Sequence, residues 1–176
     1  ISTFAHQKWW RENTTFDSTN LRFEPLDLKN DAERYLKYRL DAHRSFYAET
    51  PEPRTWLEQA EANARAHPRA VSLALIYDAP VGVVELDTRQ GEADKAGVVD
   101  FFYMDPEQRR TGIAVQLLGQ AVSVYRSLGR EKLRMAVSEK NVQAAAFCQK
   151  YGFEVVREFE NRYGKHFIME MGIAVV

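Results

Sequence analysis

Residues Glu107 to Ala114 read EQRRTGIA, and their types suit the binding of an anion. Arg109 and Arg110 carry full positive charges, while Thr111, Gly112 and Ala114 are small. Apolar residues then recur at three- and four-residue steps, which places the stretch at the start of a helix. The first N–H groups of a helix have no partner inside it, and together they amount to roughly half a positive charge. Small side chains let a ligand come close to that backbone, so a phosphate or pyrophosphate is the natural guest. The spacing is neither the Gly-x-x-x-x-Gly-Lys-Ser/Thr of a P-loop nor the Gly-x-Gly-x-x-Gly of a dinucleotide fold. Taken alone, the same residues also describe an ordinary solvated helix start.

The elements that must position this stretch follow from hydrophobic period. LRFEPL is a short strand, and Ala32, Tyr35, Leu36, Leu40, His43 and Phe46 fall on one helical face. TPEPRTWLEQAEANARAH opens a second helix, its prolines at the entry and Leu57, Ala60 and Ala64 facing inward. AVSLALIYDAPVGVVELD is a pair of strands turning at Asp78–Pro80. AGVVDFFYM, rich in valine and aromatics, is a third. Ala114, Leu117, Leu118, Ala121, Val122, Tyr125 and Leu128 make a helix closed by Gly129. EKLRMAVSE is a strand, and NVQAAAFCQKY a helix with Asn141 at its cap and Gly152 beyond its end. FEVVREFE and GKHFIMEMGI are two more strands about a turn. Several strands follow one another directly, so the order implies an α+β fold with a mixed sheet. Residues 1–20, polar around Trp9 and Trp10, are expected to form an N-terminal arm or extension, and residues 21–176 a single domain.

The bulk composition narrows the function classes. The 24 Lys and Arg against 25 Asp and Glu leave a net charge of −1, which argues against nucleic acid or an anionic membrane as partner. One cysteine excludes an intrachain disulfide and a four-cysteine zinc site, and no metal is called for. No apolar run approaches the roughly 18 residues of a membrane span, and the opening residues lack the apolar stretch of a signal peptide. A cytoplasmic location is the expectation.

With the wider context, the stretch resembles the acetyl-coenzyme-A signature of the GNAT superfamily of N-acetyltransferases, Gln/Arg-x-x-Gly-x-Gly/Ala. Here it reads Arg109, Arg110, Thr111, Gly112, Ile113, Ala114. The preceding FFYMDPEQ is similar to that family's strand and turn. Downstream, Asn141, Ala144, Gly152 and Phe153 match its Asn-x-x-Ala…Gly-Phe segment. The resemblance implies the GNAT fold: three α/β/α layers around a mixed, mostly antiparallel sheet of six to seven strands. Its fourth and fifth strands, here VVDFFYM and KLRMAVS, splay apart in a V. It further implies acetyl-coenzyme A as co-substrate. The main chain of Arg109 to Ala114 would hold the pyrophosphate, backbone groups of Phe102, Tyr103 and Met104 the pantetheine arm, and Asn141 would approach the cofactor.

Acetyl transfer to an amine needs a base, a donor to the developing oxyanion and an acid for the thiolate. Many relatives place a tyrosine acid four residues before the glycine of Gly-Phe, and this chain has Cys148 there. Cys148 is thus a candidate acid or a packing residue. Tyr151, three residues on, is a second candidate, with core packing as its other reading. Base candidates are Asp100, read by strand period onto the face of Phe102 and Met104, and Glu85, which shares a face with Asp87. A poorly solvated strand carboxyl has a raised pKa, which suits a base. The same positions also fit a sheet-end partner for arginine and a solvent-facing carboxylate. His166 is a further candidate near the acceptor. Tyr47, Glu49, Trp56 and Glu85 are expected to line the acceptor pocket. The acceptor is a small-molecule or peptide amine, and a homodimer is left open by an edge strand and the aromatic arm. Three readings stand: an N-acetyltransferase working by direct attack in a ternary complex, a silent acyl-coenzyme-A-binding module, or a generic phosphate-binding or protein-interaction domain.

Overall fold

The structure, a computed structural model, describes residues 21–109 and 111–175. The predicted arm, residues 1–20, and Arg110 lie outside the described residues. Seven strands and four helices follow one another as β1 (Leu21–Pro25), α1 (Ala32–Arg44), α2 (Pro53–Ala66), β2 (Val71–Ile76), β3 (Ala79–Asp87), β4 (Ala96–Met104), α3 (Ile113–Ser127), β5 (Lys132–Ser138), α4 (Val142–Lys150), β6 (Glu154–Asn161) and β7 (Gly164–Gly172). This is the order the hydrophobic period predicts. The strands form one sheet in the order β1-β2-β3-β4-β5-β7-β6. Every neighbouring pair is antiparallel except β4 and β5, which the intervening α3 makes parallel.

Two hydrophobic clusters sandwich the sheet. On one face α3 and α4 bury Leu117, Leu118, Ala121, Tyr125 and Cys148 against Val84, Leu86, Leu133 and Met169. On the other, Tyr35 and Tyr38 of α1 and Ala60 of α2 pack against Leu73, Leu75, Val83 and Tyr103. Tyr38 joins that core although the helical face read from sequence omits it. Among the described residues no helix is long and apolar enough to cross a membrane.

Two local features decide what the sheet presents. The β2–β3 turn falls at Tyr77 and Asp78 (φ 49° and 67°), one residue before the expected Asp78–Pro80, because a two-residue hairpin of this hand needs positive φ at both positions. More consequential is a bulge in β4. Glu85 pairs with Phe101 and Leu86 with Val99, which leaves Asp100 as an extra residue. The bulge interrupts the two-residue period. Asp100 therefore faces α2, where Gln59 and Asn63 bond to it, whereas Phe102 and Met104 face the α3–α4 cluster. The expected sharing of one face by Asp100, Phe102 and Met104 is thus corrected.

β4 and β5 pair only from Ala96 with Lys132 to Val99 with Met135. On its other side β4 stays paired with β3 as far as Met104. Past Val99 the two parallel strands part, and the V-shaped opening read from the resemblance is present.

Candidate functional site

The parted strands open on a cavity of about 290 Å³. Val99 to Phe102 of β4 and Met135 to Ser138 of β5 form its two rails. Asn141, Ala144, Phe147 and Cys148 of α4 line it from one face of the sheet, and Arg39, His43, Phe46, Tyr47 and Trp56 from the other. His166 of β7 completes it. The cleft therefore lies between the parted strands and is lined from both faces of the sheet.

A polar network backs the β4 wall. Glu85 is fully buried, with 0 % exposure. Its Oε1 accepts from the Tyr35 hydroxyl (2.5 Å) and from Arg39 Nη2 (3.2 Å), and its Oε2 accepts from Asn63 Nδ2 (2.7 Å). Burial raises the Glu85 carboxyl above the usual carboxylate range, and the Arg39 charge and the two hydrogen bonds oppose that rise. Burial likewise raises the Tyr35 hydroxyl. Asn63 Nδ2 also donates to Asp100 Oδ2 (3.0 Å), as does Gln59 Nε2 (3.1 Å). One amide thus bridges two carboxyl groups, and Arg89 fixes that amide by donating to Asn63 Oδ1 (2.9 Å). Asp87 sits beside the network. Burial works to raise its carboxyl, but hydrogen bonds from Gln90 and Arg89 outweigh it and hold the group below its usual range.

These contacts separate the two carboxyl groups proposed as bases. Asp100 lines the cavity, and Glu85 lies behind it, closed off by Tyr35, Arg39 and Asn63. Glu85 is neither the solvent-facing residue nor the acceptor-pocket residue that the sequence allowed. Arg39, Tyr35, Asn63 and Gln59 are missed by sequence reasoning. A polar residue on an amphipathic helix reads as solvent-facing, and only the folded sheet supplies the buried carboxylate that draws it inward.

The loop before α3 holds Gly112 in the left-handed region at φ +84°, with nothing within 4 Å of where a Cβ would stand. The Thr111 hydroxyl donates to the Gln108 carbonyl (2.5 Å). Ile113 and Ala114 open the helix, so their N–H groups belong to the turn that lacks partners within it. Arg109 departs from its expected use. Its N–H donates to the Pro106 carbonyl (3.2 Å), its Nε donates to the Met104 carbonyl (3.0 Å), and its guanidinium lies 5.4 Å from the Tyr103 ring centre. It ties the loop to the end of β4.

Phe102 lines the cleft and packs on Phe147 (5.8 Å between ring centres). The side chains of Tyr103 and Met104 are buried on opposite faces of the sheet, which leaves their backbone edge for any pairing. Asn141 caps α4, accepting the Ala144 N–H at 3.0 Å, and also lines the cleft. Cys148 is 1 % exposed, and burial pushes its thiol up to about 12. Tyr151 packs edge-on against the cavity-lining Phe147 (4.8 Å) and is not itself part of the lining. On the α1 side of the cleft His43, Tyr47 and Trp56 pack together with Tyr163 from the β6–β7 turn. Glu49 lies outside the lining and pairs with Arg162 of that turn at 2.9 Å. Among the described residues no three or more His, Cys, Asp or Glu side chains gather in a way that suits a metal.

A mixed sheet parted between two parallel central strands, with a small-residue loop at the mouth of the following helix, defines an acyl-transferase class of fold. The acetyltransferase (GNAT) family model matches residues 32–153, and the chain belongs to that family. Its fold is similar to that of Ard1 from Thermoplasma volcanium (TM-score 0.72, 18% identity, 89% of this chain and 99% of that one). It is also similar to the PaiA N-acetyltransferase of Thermoplasma acidophilum in complex with coenzyme A (TM-score 0.63, 18% identity, 86% and 98%). A third similarity is to Arabidopsis thaliana Naa50 in complex with the bisubstrate analogue CoA-Ac-MVNAL (TM-score 0.65, 16% identity, 86% and 98%). The search of curated proteins gives no match.

Proposed function

We propose that the protein is an N-acetyltransferase that moves an acetyl group from acetyl-coenzyme A to a primary amine by direct attack. The observation that carries this reading is the parted seam. β4 and β5 separate past Val99 and Met135 around a cavity lined from both faces of the sheet, which gives a donor and an acceptor one place to meet. The residues present fit the donor. Gly112 offers open space at the helix mouth, where the amides of Thr111 to Ala114 suit a diphosphate. The β4 edge from Asp100 to Met104, free of β5, suits the amides of a pantetheine arm. Asn141 stands between these on α4. Acetyl-coenzyme A, consumed as a substrate, supplies an acetyl thioester.

Asp100 serves as the base. Its carboxylate is held by two neutral amides, Gln59 and Asn63, whereas Glu85 is paired with Arg39. Among the described residues Asp100 thus has no cationic ion-pair partner, and an arriving ammonium ion can give its proton there. Glu85 acts through Asn63 as a positioning residue and does not touch substrate. The acceptor is a small molecule or a peptide amine, entering on the side of the cleft that His43, Phe46, Tyr47 and Trp56 line.

The test is thiol release from acetyl-coenzyme A against a panel of peptide, amino-acid and polyamine acceptors. Release that depends on an amine, and that falls in Asp100→Asn, is expected. A second reading, a silent acyl-coenzyme-A-binding module, is favoured by Cys148 at the position where relatives carry an acid. Coenzyme A binding without amine-dependent release from any acceptor would support it.

A further inference from the structure

The cleft contains a proton source that the roles above leave unassigned. Breaking a thioester C–S bond leaves an electron pair on sulfur, and a nearby acid eases that departure. The α4 wall offers none, since the Cys148 thiol is enclosed and held far from ionisation. Both imidazoles on the wall are committed. His43 Nε2 donates to the Glu49 carbonyl (2.6 Å) and His166 Nδ1 to the Gly164 carbonyl (3.0 Å). In that pose one nitrogen of each ring is already spent on a backbone carbonyl. The Arg39 guanidinium does not release protons.

Among the described lining residues the side-chain hydroxyls are Tyr47 and Ser138, and they meet across the cleft. Tyr47 Oη donates to Ser138 Oγ at 2.7 Å, joining the α1–α2 loop to the end of β5. The Lys140 N–H donates to the same Oγ at 3.2 Å. With two donors received, Ser138 turns its own hydrogen away from both. Ser138 lies beyond the last β4–β5 pair, where the seam is open. The Tyr47 ring is fixed by His43 and Tyr163 at 4.8 and 5.1 Å, and it is only half-buried, so water reaches it.

We propose that Tyr47 and Ser138 form a two-hydroxyl relay that delivers a proton to the departing sulfur; the proposal rests on the acetyltransferase reading. The amine nitrogen bonds to the acetyl carbon and the C–S bond breaks with its pair on sulfur. That sulfur takes the Ser138 proton as Ser138 takes the Tyr47 proton, and water at the mouth restores Tyr47. The ammonium form of the acceptor gives up two protons by way of Asp100. One proton enters through Tyr47, so the products are amide, thiol and one net proton.

The relay is tested on the binary complex with coenzyme A, which requires no acceptor. Thiolate absorbance is taken as the difference between complexes with coenzyme A and with desulfo-coenzyme A, and is titrated across the thiol range for wild type, Tyr47→Phe and Ser138→Ala. Cys148 and the tyrosines cancel in that difference. A hydroxyl that donates to sulfur stabilises the thiolate. Each variant is therefore expected to need about one pH unit more, a roughly tenfold smaller thiolate fraction at a given pH, with coenzyme A affinity unchanged below that range. Phenylalanine keeps the ring and its stacking, so the fold is retained. Superimposable titrations in all three proteins would overturn the relay. Absence of coenzyme A binding to the wild type would instead remove the acetyltransferase reading beneath it.

Discussion

Gly112 is where charge and backbone effects can be separated cleanly, by comparing Gly112→Ala with Gly112→Asp. Gly112 sits at φ +84°, so any L side chain is strained there by about 1–2 kcal/mol. Nothing lies within 4 Å of the added Cβ, so neither variant clashes, and aspartate, which caps a helix start, should lose less stability than alanine. Only aspartate brings a negative charge to the helix mouth. A carboxylate about 4 Å from one phosphate charge repels it by about 4 kcal/mol at an effective dielectric constant of about 20. Residue 112 is exposed, and screening reduces this to about 1–2 kcal/mol, or roughly 5- to 30-fold in coenzyme A affinity beyond the alanine variant. Calorimetric titration measures the affinities and thermal melting checks the stabilities. The gap should narrow in about 1 M salt, where the screening length falls to about 3 Å. Equal affinity in the two variants at low salt would refute a phosphate site at these amides.

Asn63→Leu removes the amide that bridges Glu85 and Asp100 and strands the Arg89 contact. It should cost about 3–5 kcal/mol in urea denaturation, and a loss under about 1 kcal/mol would mean the network is slack. Gly97→Ala would set a Cβ 2.3 Å from the Tyr125 ring and dislodge its 2.5 Å bond to the Val98 carbonyl. A loss of about 2–4 kcal/mol is expected by the same method, and unchanged stability would contradict the packing. Cys148→Ala should leave coenzyme A affinity unaltered; weakened binding would give the thiol a role it lacks above. The Cys148 thiol also fixes a pH dependence. Its pKa is raised to about 12 in the fold, so its contribution is full below about pH 8.5 and lost above it by about 1.4 kcal/mol per unit. Wild-type stability should therefore fall faster than that of Cys148→Ala over that range, and parallel curves would show the thiol to be accessible.

The elements were legible because the helices have a clean period and the strands are short apolar runs between turn residues. Leu117, Leu118, Ala121 and Tyr125 recur at helical steps in α3, and β3 and β4 are nearly continuous apolar runs. The motif stretch was legible because a left-handed glycine and a helix start leave local signatures. What was not legible is what two distant segments do to each other. The bulge at Asp100 depends on how β3 pairs with β4, so counting along β4 alone assigns the wrong face. Glu85 looked like one strand carboxylate among several, yet residues 50, 46 and 22 positions away in sequence enclose it. Arg109 looked like a phosphate ligand, yet the Met104 carbonyl, five residues back, claims it. The hydroxyl pair of Tyr47 and Ser138 spans 91 residues, and no spacing rule reaches that far.

The most direct measurement is a crystal structure of the protein with coenzyme A. The account predicts the diphosphate on the amides of Thr111 to Ala114, the arm along the free edge of β4, and the sulfur inside the cleft between Phe102 and Ser138. A diphosphate bound elsewhere, or an arm that avoids the gap between β4 and β5, would contradict it.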